Sequence, residues 1–241
     1  MKKLYLTSII EKYYLNGLTE RVKIVVKDKT ATIKFIASQK NVVGTITAPG
    51  IALDDCELGV YDTTQLLKLL NITDTFLTLK VEKQGKISTK LHVADNEYNL
   101  EYALADTMLT PLIPTVEEPE YELEADIDVE FVNKFIKARK ALDTDLFIVD
   151  SGVDEDSNSV ITFLLGGTDS YTNKINFNVK ATKSGIAGAP TKFPINEFRE
   201  ILDNNRELTS GKLYVSQHGL MKVEFTGKEG EKATYLVVGK E

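Results

Sequence analysis

Residues 128–142 read DVEFVNKFIKARKAL, and this stretch decides how the rest of the chain is parsed. At about 100° per residue, Phe131, Phe135, Ala138 and Leu142 fall on one side, the spacing of an amphipathic helix. Lys134, Lys137 and Lys140 form a stripe on the opposite side, and that stripe reads as free of acid. The segment therefore predicts a helix that buries phenylalanines and presents cations. Three more helices follow from the same periodicity. One covers 7–15, with Thr7 or Ser8 as cap and Ile9, Ile10, Tyr13 and Tyr14 on one side. Another covers 63–71 behind Asp62, with Leu66, Leu67, Leu69 and Leu70 as its apolar side. The last covers 194–204, with Pro194 suited to a first turn and Ile195, Phe198, Ile201 and Leu202 facing inward. Lys12 projects from the first of these helices and Lys68 from the second, while Arg199 and Arg206, seven apart, share a face of the last. The predicted helix surfaces are thus more basic than the protein that carries them.

Between the helices the chain reads as strands, at 21–27, 30–37, 76–82, 86–93, 146–150, 160–165, 175–180, 212–217, 221–226 and 234–238. Asp28-Lys29, Gln84-Gly85 and His218-Gly219 mark hairpin bends. The midpoint breaks this pattern. Pro111, Pro114 and Pro119 lack a ladder donor and hold their predecessors extended, so 110–120 reads as a connector between two domains. The second half also echoes the first. A shift of 132 places Tyr61 on Phe193, Leu66 on Phe198, Leu69 on Ile201 and Leu70 on Leu202. A shift of 134 places Val81 on Val215 and Gly85 on Gly219, and one of 122 places Ile9 on Phe131, Lys12 on Lys134 and Tyr13 on Phe135.

The 241 residues carry a net charge of −7, which at first sight argues against a phosphate-bearing partner. That charge has one source. Glu117, Glu118, Glu120, Glu122, Glu124, Asp126, Asp128 and Glu130 crowd one short segment with no base among them, and the run reads as a solvated linker face. The lone Cys56 excludes an internal disulfide and a thiolate metal site, so a reducing compartment is expected. Lys2 and Lys3 ahead of Leu4, Tyr5 and Leu6 imitate a secretion signal. Glu11 and Lys12 end that stretch without a cleavage site, so it reads as mature protein. No apolar run approaches the roughly 20 residues of a membrane helix.

Catalytic chemistry is hard to find. His92 and His218 lie in or beside predicted strands with no nucleophile motif near them, and they read as structural or surface groups. Asp154, Asp156 and Asn158 imitate a calcium loop, but Ser159 stands where its Gly should be and Leu165 where its Glu should be, so a hairpin turn is expected. Gly166-Gly167 and the stretch from Gly185 to Gly188 lack the Lys and Ser/Thr of a phosphate loop. No catalytic residue, metal ligand or cofactor is expected, and the chain does not read as an enzyme.

The element order resembles that of the DNA sliding clamps, and most nearly the clamps of tailed bacteriophages of the T-even type. Val60, Tyr61 and Asp62 leading into Leu66, Leu67, Leu69 and Leu70 are similar to the end of a strand and second helix of that family. Residues 128–142 are similar to the helix opening its second domain, and 234–238 to its last strand. The likeness spans nearly the whole chain at low identity. It implies an α+β fold of two similar domains, each with two helices packed on antiparallel sheets, related to the eukaryotic and archaeal trimeric clamps. The domains would be 1–109 and 125–241, with an interdomain connector over 110–124.

What the resemblance implies is a homotrimeric closed ring around duplex DNA, a processivity factor that holds the replicative polymerase at the primer end. Lys12, Lys68, Lys134, Lys137, Lys140, Arg199 and Arg206 would line the channel and touch DNA without reading sequence, and the acidic run would lie outside. Polymerase and clamp loader would bind by short peptides in a pocket built from Met108, Leu109, Leu112, Ile113, Tyr235 and Val237. No membrane partner is implied, and the location would be cytoplasmic, that of an infected host cell for a phage-encoded clamp. Two other readings fit the same sequence: a monomeric processivity or DNA-binding factor of this fold, and a β-rich virion structural or assembly protein without a DNA role.

Overall fold

Asp28 and Lys29 both adopt positive φ, 49° and 58°, the turn geometry whose twist matches two paired strands. In the computed structural model they join β1 (Val22–Lys27) to β2 (Thr30–Ile36), the centre of the first sheet. The structure describes residues 1–167, 172–185, 190–207 and 210–240. It contains two compact units, Met1–Pro114 with Lys228–Ala233, and Thr115–Gly227 with Thr234–Glu241.

The first unit runs α1 (Lys3–Tyr14), β1, β2, β3 (Val42–Ala48), β4 (Cys56–Val60), α2 (Thr63–Asn71), β5 (Thr78–Gln84), β6 (Ile87–Ala94) and β7 (Asn99–Ala103). Its strands form antiparallel sheets ordered β3-β2-β1-β4 and β5-β6-β7. Ile9, Ile10 and Tyr13 of α1 and Leu66 and Leu70 of α2 are buried with Val26, Ile33 and Leu58 of the sheet, so the core is mostly aliphatic. Asp62 caps α2 by accepting the Gln65 amide at 2.7 Å. Gly59 is fixed by a close approach: a Cβ there would stand 2.3 Å from the Ala105 carbonyl oxygen, where the chain beyond β7 bridges back to β4.

The second unit opens with β8 (Leu123–Ile127) and then repeats the order: α3 (Val129–Ala141), β9 (Leu146–Val153), β10 (Ser159–Gly166), β11 (Lys174–Ser184), β12 (Thr191–Pro194), α4 (Ile195–Asp203), β13 (Ser210–Val215), β14 (Leu220–Thr226) and β15 (Lys232–Val238). Its strands follow β12-β9-β10-β11-β8-β13-β14-β15. The pairing β11-β10-β9-β12 restates β3-β2-β1-β4, and β13-β14-β15 restates β5-β6-β7. Smaller features recur as well. The bridge Gly59↔Ala105 has a counterpart in Lys192↔Lys240, and β8 beside β13 has one in Lys2↔Phe76. The offset of 132 residues read between the second and fourth helices is that between α2 and α4. This core is aromatic: Phe131 and Phe135 of α3 and Phe198 of α4 pack on Phe147, Phe163 and Phe177 of the sheet, with Phe135 and Phe198 centroids 4.8 Å apart.

Several expectations need correcting. The first helix starts at Lys3, not near residue 7. Thr7 hydrogen-bonds back to the Lys3 carbonyl within the helix, and tertiary bonds set the start: Lys3 N–H to Thr75 O at 2.8 Å and the Met1 amino group to Leu77 O at 2.6 Å. Pro194 ends β12 and occupies the cap position, one residue before α4. The connector over 110–124 is too long at its far end, because Leu123 and Glu124 already belong to β8. There the acids are not a linker face. Leu123, Ala125 and Ile127 are buried while Glu124 and Asp126 alternate outward, the period of a half-buried strand. The β9–β10 turn is the expected hairpin: Asp154 accepts the Asp156 and Asn158 amides at 3.0 and 2.8 Å, and the Asn158 hydrogen bonds hold its carboxyl below the usual range. Gly188 lies outside the described residues. Among the described residues no helix is long and apolar enough to cross a membrane.

Candidate nucleic-acid interface

Asp128 fixes where α3 begins, accepting the Phe131 amide at 2.7 Å and favouring the helix electrostatically at its positive end. That start sets the phase. Phe131, Val132, Phe135, Ile136 and Ala138 turn into the core, leaving Lys134, Lys137 and Lys140 exposed. Glu130 shares the stripe, correcting the acid-free reading: it pairs with Lys134 Nζ at 2.7 Å one turn on, with both side chains at least half exposed. Lys137 and Lys140 have no acidic partner among the described residues. Arg139, which the sequence reading did not single out, is spent on structure. It donates to Leu142 O at 2.9 Å and reaches Asn196 Oδ1 at 3.2 Å, tying the end of α3 to the start of α4.

The remaining basic candidates divide sharply. Lys68 is exposed in the last turn of α2, where the helix dipole favours a cation. Lys12 does not project. It is only 3% exposed and donates to Ser8, because position 12 lies one turn beyond Ile9 and beside Tyr13 on the buried side of α1. Arg199 is half-buried and pairs with the neighbouring Glu200. Arg206 lies past the end of α4, so it shares no helix face with Arg199, and it pairs with Asp203 three residues back. Of the seven basic candidates, those both exposed and without an acid partner among the described residues are Lys68, Lys137 and Lys140.

The peptide-pocket residues divide in the same way. Met108 and Leu109 sit in a single turn started by Asp106, which accepts the Met108 amide at 2.9 Å, and they are 84% and 73% exposed. Leu112 is 96% exposed and Ile113 is partly covered. Tyr235 and Val237 are buried completely, in correction of their place in that pocket. Tyr235 accepts the Asn205 Nδ2 hydrogen bond at 2.8 Å and packs edge-on to Phe225, and burial pushes its phenol far above the ordinary range. The strand alternates, so Leu236 and Val238 are the outward residues of β15. His92 sits on β6 with Nε2 3.2 Å from Glu82 on β5, a cross-strand contact in an otherwise structural setting.

No protein-family model matches the chain, and no curated protein matches its sequence. Solved structures do match, over the full length. The structure of A. fulgidus PCNA with the C-terminal region of FEN-1 bound gives a TM-score of 0.78 at 14% identity, covering 100% of this chain and 97% of that one. The chain has the DNA clamp fold. PCNA from Entamoeba histolytica gives 0.77 at 14% identity, with 100% and 97% coverage. The PCNA2–PCNA3 complex of Sulfolobus tokodaii gives 0.73 at 10% identity, with the same coverage of each chain. The expected α+β architecture, two helices on antiparallel sheets in each of two like units, is thereby established end to end.

Proposed function

We propose that this protein is a DNA sliding clamp, a processivity factor that assembles as a homotrimeric ring around duplex DNA and tethers a polymerase. The observation that carries the reading is the coincidence of a twice-repeated unit with clamp chains over 97% of their length. Self-association has local support in open strand edges. Among the described residues β7 pairs only with β6, and Lys174–Lys180 of β11 pair only with β10. Such edges can accept a strand from another copy. Two of the similar structures are complexes, one of PCNA with a FEN-1 segment and one between two PCNA chains, and they favour peptide partners and self-association here as well.

The mechanism is topological. A closed ring stays on DNA without tight contact, so its inner surface needs few phosphate contacts, and long flexible lysines such as Lys68, Lys137 and Lys140 can exchange phosphates without reading bases. The likeness at 60–70, 128–142 and 234–238 favours a clamp of the T-even phage type, acting in the cytoplasm of an infected cell with polymerase and loader as peptide-borne partners. It has no reaction to catalyse. The test is retention on circular but not linear DNA after loading, combined with light scattering over a concentration series. A mass near three times 26.8 kDa with topology-dependent retention is expected. Release from circular and linear DNA alike, or large assemblies indifferent to DNA, would overturn the proposal in favour of the monomeric or virion reading.

A further inference from the structure

The acidic half of the connector is fastened in an unusual way. At its end, Glu122 is held by backbone bonds, donating its amide to Val215 O at 3.2 Å and accepting from Gly185 at 2.7 Å, while its side chain accepts the Gln217 amide at 2.8 Å. Upstream the picture changes. From Pro111 to Glu120, the hydrogen bonds and ion pairs among the described residues all belong to one side chain, Glu118. Glu118 Oε2 lies 3.0 Å from Lys222 Nζ and accepts the Tyr121 hydroxyl at 3.1 Å.

Lys222 is built to receive it. Its side chain is 19% exposed, on β14, with its ammonium also 2.9 Å from Glu224 two residues along the same strand. The ammonium lies 6.0 Å from the Tyr121 ring centroid and 5.4 Å from that of Tyr214, and the two rings are 5.7 Å apart. Burial opposes the charge, but the hydrogen bonds to Glu224 and Glu118 outweigh it and hold the ammonium's pKa above its ordinary value. Glu224 and Tyr214 come from the sheet, whereas Glu118 and Tyr121 come from the connector, so the sheet supplies a prepared cation and the connector supplies what closes over it.

We propose that the Lys222–Glu118 pair, capped by Tyr121, is an electrostatic latch that holds residues 115–120 of the connector to the second unit's sheet. Resting on the clamp reading, it gives the latch a regulatory consequence: a partner peptide docking beside the connector meets a segment already ordered, and opening the latch restores an ordering cost to that binding. Because the contact is ionic and partly exposed, it weakens as salt shortens the screening distance to about 3 Å near 1 M.

The test places a nitroxide label at Thr115→Cys in a Cys56→Ser background of the full chain and reads its mobility by electron paramagnetic resonance. Lys222→Met, which keeps the aliphatic stem, should shorten the label's correlation time by at least about two-fold, and Glu118→Gln should do the same from the connector side, while Lys222→Arg keeps the restrained spectrum. Salt near 1 M should mobilise the parent and leave the two latch variants unchanged. A restrained spectrum in Lys222→Met or Glu118→Gln at an unchanged melting temperature overturns the proposal. Should Lys222→Met not fold, Glu118→Gln, on the exposed connector, still decides it. Ring retention on circular DNA is measured separately, so a failure of the clamp reading and a failure of the latch are distinguishable.

Discussion

Replacing Lys137 and Lys140 together with alanine isolates the two lysines of α3 that the fold leaves unpaired. Both are exposed on α3 without acid partners among the described residues, whereas Lys134 must first leave Glu130, 2.7 Å away, before it can meet a phosphate. Each phosphate contact contributes about 0.9 to the slope of log affinity against log salt. Losing both lysines should therefore lower that slope by about 1.8 for each protomer whose α3 touches the duplex. Over the four-fold rise from about 50 to about 200 mM salt, this corresponds to roughly a 12-fold difference in how far affinity falls. The assay is fluorescence anisotropy of a short labelled duplex across a salt series, with the melting temperature as control. Lys12→Ala supplies the contrast: a buried lysine should cost stability and leave the slope unchanged. An unaltered slope in the Lys137/Lys140 variant at normal stability would remove these two lysines from any contact with DNA.

Phe135→Ala empties the centre of the aromatic core, where Phe135 is fully buried against Phe147, Phe163 and Phe198; a loss of about 3–5 kcal/mol is expected in denaturant unfolding. Asp128→Ala removes the cap of α3 and should cost about 1 kcal/mol, rescued by Asn or Ser. Gly59→Ala should destabilise the first unit more than an exposed helix substitution does, because the new methyl meets the Ala105 carbonyl; a chemical-denaturation midpoint equal to the parent's would contradict that crowding. Burial raises the phenols of Tyr5 and Tyr102 to about 12. The stabilisation from these raised values is present below the unfolded phenol pKa of about 10 and is lost as pH rises from there through about 12. Tyrosinate absorbance should thus appear together with loss of structure in an alkaline titration, and smooth ionisation of every tyrosine near pH 10 in the folded protein would be incompatible with it.

Local chemistry made some elements readable and left others opaque. The helices at 63–71 and 128–142 announce themselves through an apolar face decided within a few residues, and the first of them also through its Asp62 cap. The connector was legible from its prolines. Its end was not, since high acid density drew attention away from the strand alternation of Leu123, Ala125 and Ile127 in the same residues. Short strands such as β4 and β12, hidden beside helix starts, exist because β1 and β9 pair with them. Lys12 shows why a charge on a predicted helix is weak evidence of exposure: the helix begins at Lys3, four residues before its expected range, and its buried side is wide. Over residues 235–238 of β15 every side chain is apolar, so periodicity within them could not say whether Tyr235 or Leu236 points inward. Lys222 had no local signal at all, since its partner Glu118 is over a hundred residues away.

The unequal aromatic content of the two cores also equips the molecule with a native optical label. Apart from Phe35 and Phe76, every phenylalanine belongs to the second unit, whereas most tyrosines, including Tyr5, Tyr13, Tyr14, Tyr61, Tyr98 and Tyr102, belong to the first, and there is no tryptophan to mask either. The fine vibronic structure of the benzyl absorption band near the ultraviolet edge would then follow one lobe, and the phenolic band chiefly the other. Whether the lobes melt in concert or in succession can be watched without attaching anything.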